Sequence, residues 1–368
     1  MSKVPWEESQ IFFNGDDFFN QLLKKVDEAT NRIWFEVYIF EWDRLGQRIA
    51  DHLKRAQKRG VQVQVLVDGI GSYGSEDALR NFFSQNQIKF RVFHPLLFEQ
   101  FIFWSKAWKF NKRTHRKIFL IDDHVFLGSF NISQTHCTSI VGESAWRDTG
   151  VLVKGPMIQD IAASMLKVWN SCSSFFFRSP LLKSDLNKGL SSVRTNLTLK
   201  DRYLLSIDLK KRIRSAQSRV LLTTAYFLPR RTLLRSLVFA AKKGCFVGLC
   251  LPQKTDVKVL QWASRGLFRE LLKSGIKIYE YLPSVMHAKT VVIDDWIAIG
   301  SHNWNHRSLN HDLEIEVTLT SKGDLAKMLD QWDRDVLVSE AVTLEKLDRI
   351  GLLSVLLGKI IYWFRYWL

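Results

Sequence analysis

Two stretches, HRKIFLID at 115–122 and HAKTVVID at 287–294, carry one H-x-K-x₄-D pattern on runs that read as buried strands. Counted from each His, both copies place Lys at +2, Asp at +7 and +8, Gly-Ser at +13 and +14, and Asn at +16. The first set is His115, Lys117, Asp122, Asp123, Gly128, Ser129 and Asn131. The second is His287, Lys289, Asp294, Asp295, Gly300, Ser301 and Asn303. Ungapped agreement of this kind is an internal repeat, and it constrains the chain to two similar units.

The correspondence extends upstream. NRIWFEVYIF (31–40) matches SRVLLTTAYF (218–227), KRGVQVQVLVD (58–68) matches KKGCFVGLCLP (242–252), and IKFRVFHP (88–95) matches IKIYEYLP (276–283). In each unit a basic helix end, a Gly and an apolar strand follow in that order, as at a helix C-cap leading into a strand. Alternating strands and helices predict an α/β fold, a sheet with helices on its faces. The expected organisation is an N-terminal half at 1–170, a Ser/Asn/Lys/Arg-rich linker at 171–200, a C-terminal half at 201–345 and a tail at 346–368.

On a strand, residues i and i+2 share a face, so His and Lys of H-x-K project together while Asp at +7 has the opposite parity and sits at the strand end. Two halves packed face to face bring two such pairs into one pocket. Two imidazoles, two ammonium groups and the amides of Asn131 and Asn303, with Ser129 and Ser301 nearby as substrate contacts, suit a phosphodiester. Lysines and amides hold the non-bridging oxygens. One imidazole attacks phosphorus and the other protonates the departing oxygen. The lysines supply the positive charge a metal would bring, so neither metal nor cofactor is expected.

The duplicated motif, followed each time by G-S-x-N, resembles the phospholipase D superfamily over nearly the whole chain. The resemblance implies two similar α-β-α sandwich half-domains forming one active site at their interface. It makes His115 the nucleophile that becomes a phosphohistidine, and His287 the general acid and base. Asp122 and Asp294 complete the motif and are carried with this catalytic set. A carboxylate downstream of each His is implied to hydrogen-bond the His of the opposite half. Asp148 follows His115 by 33 residues and Glu314 follows His287 by 27, which pairs His115 with Glu314 and His287 with Asp148; Glu316, at +29, is the rival of Glu314. The stretch GSHNWNHRSLNHDLEIEV (300–317) further resembles bacterial cardiolipin synthases, with Arg307, Ser308, Leu309 and Glu314 fitting and Asn305 and Asp312 departing from the usual Asp and Asn. The shorter type, without N-terminal transmembrane helices, is the expected match. The implied reaction passes a phosphatidyl group from one phosphatidylglycerol to another. A lipid hydrolase and a nuclease are the alternatives.

A net charge of +16 calls for an anionic partner. Two aromatic and basic segments point to an anionic phospholipid membrane rather than nucleic acid. One is the insertion at 96–114, where Phe and Trp alternate with Lys and Arg just before His115, as in a lid that dips into lipid. The other is the tail GLLSVLLGKIIYWFRYWL (351–368), which reads as an interfacial helix. With no apolar signal region at the start and four scattered cysteines, the expected location is the cytoplasmic face of the cell membrane. GIGSYG (69–74) has the form of a dinucleotide fingerprint but lacks the acidic residue after the next strand, so it reads as an ordinary loop. The run His302, His306, His311 has no cysteine partner and is not read as a metal site.

Overall fold

The computed structural model describes residues 5–95, 112–172 and 192–349. Seven strands form the first sheet: β1 (Glu8–Phe12), β2 (Arg32–Val37), β3 (Gln62–Asp68), β4 (Lys89–Phe93), β5 (Lys117–Ile121), β6 (His124–Gly128) and β7 (Gly150–Lys154). Eight form the second: β8 (Val193–Thr195), β9 (Arg219–Thr223), β10 (Phe246–Lys254), β11 (Lys277–Val285), β12 (Thr290–Ile293), β13 (Trp296–Gly300), β14 (Ile315–Leu319) and β15 (Ser339–Ala341). The strand order β1-β7-β6-β5-β2-β3-β4 recurs as β8-β14-β13-β12-β9-β10-β11, with β15 added at the far edge. The sequence repeat is thus a repeat of topology. Each sheet is mixed: β2, β3 and β4 run parallel, as do β9, β10 and β11, and the H-x-K strands β5 and β12 join them antiparallel.

The parallel strands need helical crossovers, and local chemistry sets where these helices start and stop. Asp43 caps the helix Arg44–Lys58 by accepting from Gly46 N, and Asn14 caps Gly15–Glu28 by accepting from Asp17 N. Beyond the basic helix ends, Gly60 and Gly244 turn into the next strand at φ +91° and +96°, which glycine adopts without a Cβ penalty.

Side chains alternate along the central strands between two cores. Phe119 and Ile121 of β5 pack under the helices of the first half, while Ile118 and Leu120 face a cluster that also holds Val292, Ile297 and Ile299 of the second half. The shared cluster includes the helices Ile158–Ser171 and Lys322–Leu337, through Met165 and Trp332. β1 fastens the halves further: Ser9 Oγ donates to Asp324, and Trp6 Nε1 to the Thr318 carbonyl.

Two departures from the sequence reading concern boundaries. The helix Leu344–Arg349 runs across the expected start of the tail at 346, with Leu347 buried in the second-half core, and β8 lies inside the expected linker. Three residues of β8 suffice to add an edge strand to β14, a pairing that composition does not reveal. The aromatic insertion (apart from 112–114) and the tail at 351–368 lie outside the described residues.

The Gly of G-S-x-N has a steric reason. Gly128 sits at φ +149°, and a Cβ there would lie 2.5 Å from the Thr149 carbonyl; at Gly300 it would lie 2.3 Å from that of Ile315. Gly128→Ala is expected to destabilise the fold by about 2–4 kcal/mol, from combined backbone strain and overpacking. Denaturant titration checks this; a midpoint equal to wild type would mean that β6 and β7 can separate without cost.

Candidate active site

The two H-x-K motifs come together through backbone pairing between the halves. Thr114 bridges Leu313, with His115 N donating to the Leu313 carbonyl at 2.9 Å and Leu313 N to the Arg113 carbonyl at 2.8 Å. Arg147 bridges Met286 in the same way, with His287 N donating to the Arg147 carbonyl at 2.8 Å and Arg147 N to that of Val285 at 3.0 Å. Leu313 precedes Glu314 and Arg147 precedes Asp148. Each bridge therefore seats the carboxylate of one half beside the imidazole of the other.

His115 Nδ1 lies 3.0 Å from Glu314 Oε1 and 3.1 Å from the Ser301 carbonyl. His287 Nδ1 lies 2.7 Å from Asp148 Oδ2. Glu316 points elsewhere, to an ion pair with Arg194 at 2.7 Å, because one strand residue separates it from Glu314 on a line that runs away from the pocket. Lys117 and Lys289 fold back to donate to the carbonyls of His115 and His287, at 2.7 and 2.6 Å. Lys289 Nζ is also 3.0 Å from His287 Nε2. Among the described residues His115 Nε2 has no such neighbour.

The serines are not placed as substrate contacts. Ser129 Oγ bonds Asp148 and Ser301 Oγ bonds Glu314, and both serines are fully buried. Their hydroxyls orient carboxylates because the chain after Gly128 and Gly300 passes directly beside the strand that follows each acid. Asn131 accepts from Ile39 N at 3.3 Å, whereas Asn303 Oδ1 is buried and has no hydrogen-bond partner among the described residues. Asp122 and Asp294 stand apart from the cluster. Each follows its H-x-K strand at a positive φ and accepts backbone amides, from Thr30, Asn31 and Arg32 and from Gln217, Ser218 and Arg219 respectively. Five residues of extended chain carry Asp122 roughly 17 Å beyond Lys117. These aspartates clamp the sheet and do not join the imidazoles.

Two residues without a motif signal join the site. Tyr38 lies at the end of β2, its ring 5.0 Å from that of His115 and 5.1 Å from Lys117 Nζ. The GIGSYG loop holds it: Ser72 Oγ donates to the Tyr38 carbonyl, and a Cβ on Gly71 would meet that carbonyl at 2.3 Å. His136 is buried, with Nδ1 3.5 Å from Asp148 Oδ2 and Nε2 accepting from Asn131 N. It stands 21 residues after His115, where the second half has Ser308 21 after His287, so the repeat does not mark it. Among the described residues His136, Asp148 and His287 are the group whose donor atoms gather closely enough for a metal; His302, His306 and His311 are not. His287 and Ser129 already use Asp148 as a hydrogen-bond acceptor.

Burial and excess positive charge set the electrostatics. Burial, then Lys117 and Lys289, push His115 well below the usual imidazole range, so it is neutral at neutral pH. Burial, then Lys289, lower His287 to about 3, against the pull of Asp148. Burial alone would raise Asp148, but His287 and Lys289 hold it well below the ordinary carboxylate range. Glu314 is raised by burial to about 7. Burial lowers Lys117 to about 7, helped by Lys289, and lowers Lys289 to about 8.

An anionic ligand needs these lysines charged, and they lose protons between about pH 7 and 8 in the free enzyme. We expect kcat/KM to fall on that alkaline side. A bound anion favours the ammonium form, so the limb in kcat should lie at higher pH. Rates from about pH 6 to about pH 9.5 check this. A kcat/KM flat throughout that range would mean the lysines do not bind the anion.

The family model described as "Cardiolipin synthase, PLD-like domain" matches residues 22–169 and 209–336, covering both motifs. The chain belongs to this family. A cardiolipin synthase of Clostridium perfringens (strain SM101) is 29% identical over 361 residues, spanning 94% of this chain and 73% of that protein. Cardiolipin synthase 1 of Staphylococcus epidermidis (strain RP62A) is 30% identical over 353 residues, spanning 92% and 70%. Among solved structures, phosphatidylserine synthase of Haemophilus influenzae Rd KW20 superposes with a TM-score of 0.72 at 14% identity, covering 100% of this chain and 96% of that one. Polyphosphate kinase of Porphyromonas gingivalis gives a TM-score of 0.60 at 13% identity, covering 89% and 50%. At these identities the two structures speak for the fold alone.

Proposed function

We propose that the protein is a cardiolipin synthase that transfers a phosphatidyl group between two phosphatidylglycerol molecules through a phosphohistidine on His115. The asymmetry of the two imidazoles carries the assignment. Each has Nδ1 committed to a carboxylate, but Nε2 of His287 faces Lys289, while Nε2 of His115 is open among the described residues. The neutral His115 Nε2 uses its lone pair to form a P–N bond, and the P–O bond to the glycerol headgroup breaks. His287 protonates the departing alkoxide. Burial and then Lys289 keep His287 neutral before substrate binds; the substrate's negative charge offsets the Lys289 ammonium, so the imidazole gains its proton as the ligand binds. In the second half-reaction His287 takes the proton of a hydroxyl on the second phosphatidylglycerol. That oxygen forms the new P–O bond and His115 is released. Lys117 and Lys289 offset the charge that grows on the non-bridging oxygens. One phosphodiester replaces another, so no nucleotide is consumed.

The protein works on phospholipid at an anionic bilayer surface in this reading. No helix among the described residues is long and apolar enough to cross a membrane. Product analysis tests the proposal. With phosphatidylglycerol vesicles, the expected products are cardiolipin and glycerol with little phosphatidic acid, and added glycerol should drive the reaction back. Mostly phosphatidic acid would make it a hydrolase; cleavage of DNA with both lipids untouched would make it a nuclease.

A further inference from the structure

We infer that the helix Leu199–Ser215 is a membrane-docking element that lays one face on an anionic phospholipid bilayer; this rests on the phosphatidyl-transfer reading and names the surface that serves it. Leu199 is 83% exposed, Tyr203 66%, Leu204 37% and Ile207 38%, an uncommon concentration of large apolar side chains on one helix of a folded chain. At 100° per residue they fall within an arc of about 140°, and Lys200, Lys211 and Arg214 occupy the same arc. All three of these basic residues are exposed. The acidic residues lie off the arc: Asp201 closes the N-terminal capping box, and Asp208 pairs with Arg194 and Arg212. The buried side chains, Leu209 and Ile213, face the protein from the opposite side. The helix is therefore apolar on two sides, and among the described residues only one is packed against the fold.

The outer face continues onto the neighbouring helix Arg231–Lys242. There Phe239 is 42% exposed, with the Arg214 guanidinium 4.2 Å over its ring. An apolar band interleaved with cations and free of acids complements an anionic bilayer, into which the apolar groups insert while the cations meet headgroups. The element is also tied to the active site. Arg202, in its first turn, donates to the carbonyls of His311 and Asp312, and Asn196, just before the helix, accepts from Glu314 N at 2.7 Å. Docking this helix brings the bilayer to the segment that carries the partner of His115.

The test uses the full chain and two variants. One is Leu199→Ser with Tyr203→Ser and Ile207→Ser; the other is Lys200→Glu with Lys211→Glu and Arg214→Glu. Co-sedimentation with phosphatidylglycerol and with phosphatidylcholine vesicles reads docking. Turnover of a short-chain, molecularly dispersed phosphatidylglycerol reads the integrity of the pocket. Both variants should bind phosphatidylglycerol vesicles at least about tenfold more weakly than wild type while keeping short-chain turnover within about twofold. Unchanged vesicle affinity in the serine variant overturns the inference. So does loss in the charge-reversed variant alone, the pattern of a polyanion such as nucleic acid held by charge. A fall in short-chain turnover that tracks the fall in binding would make the helix a support of the pocket, also against the inference. Wild-type protein that binds vesicles yet makes no cardiolipin would remove the transfer reading while leaving the docking result intact.

Discussion

His115→Asn should lower turnover by about 10⁴-fold or more, the scale on which enzymes lose rate when a covalent nucleophile is removed. Asparagine keeps a polar group against Glu314 but has no lone pair at the position of Nε2, so the P–N bond cannot form. Brief quenching of the wild-type enzyme with donor labelled in the phosphatidyl group should leave acid-labile label on His115. The near-symmetry of the halves makes this a discriminating measurement. His287 has the same strand, the same lysine and the same kind of carboxylate, and differs in having Lys289 against Nε2. Label on His287 would reverse the assignment. Equal label on both would mean that Lys289 moves aside on binding and that either half can start the reaction.

Asp148→Asn should lower kcat by about 10²–10⁴-fold with little change in KM, by the logic of a carboxylate that fixes an imidazole tautomer. Asp148 is fully buried and accepts from His287 Nδ1, from Thr149 N at 2.8 Å and from Ser129. An amide nitrogen turned toward His287 forces Nδ1 to accept and places the proton on Nε2, against the Lys289 ammonium. His287 can then no longer take a proton from the incoming alcohol. A donor with an activated leaving group needs no general acid, so the variant should still form the phosphohistidine from it and then stall, giving a burst followed by slow turnover. Glu314→Gln should differ, because it acts on His115 itself and should slow the burst whatever the leaving group. Equal losses on both steps in the Asp148 variant, or a burst unaffected by Glu314→Gln, would show that the carboxylates do not divide their work between the imidazoles as proposed.

Much of this site was legible as local pattern. His115 with Lys117 and His287 with Lys289 share strand faces by parity alone, and the repeat marks Gly128 and Gly300, though only the structure has two strands passing there too closely for a Cβ. Parity put Asp122 and Asp294 at the strand ends, whereas the resemblance carried them with the catalytic set; the structure goes against that set, with both clamping the turn ahead of β2 and β9 through backbone amides. Asp148 and Glu314 came from resemblance, since nothing in a linear sequence says which carboxylate meets which imidazole. Ser129 and Ser301 were read as substrate contacts because a hydroxyl near a phosphodiester site suits that role; the tight crossing after each Gly turns them onto carboxylates instead. Tyr38 and His136 carried no signal, because each reaches the site through a turn whose geometry depends on tertiary packing.

The sequence by itself determined the duplication, the α/β unit, the strand on which each His-Lys pair sits and a basic surface, all consequences of periodicity, capping and charge over short stretches of chain. Tertiary structure decided the rest. The bridges Thr114–Leu313 and Arg147–Met286 set the register between halves, and a register is a property of two surfaces meeting: each sheet buries its inner face on the other, and the pairing seats Glu314 at His115 and Asp148 at His287. The outer face of Leu199–Ser215 was hidden for the same reason. A helix apolar on two sides gives no clean amphipathic pattern, and only packing tells which side the fold has used.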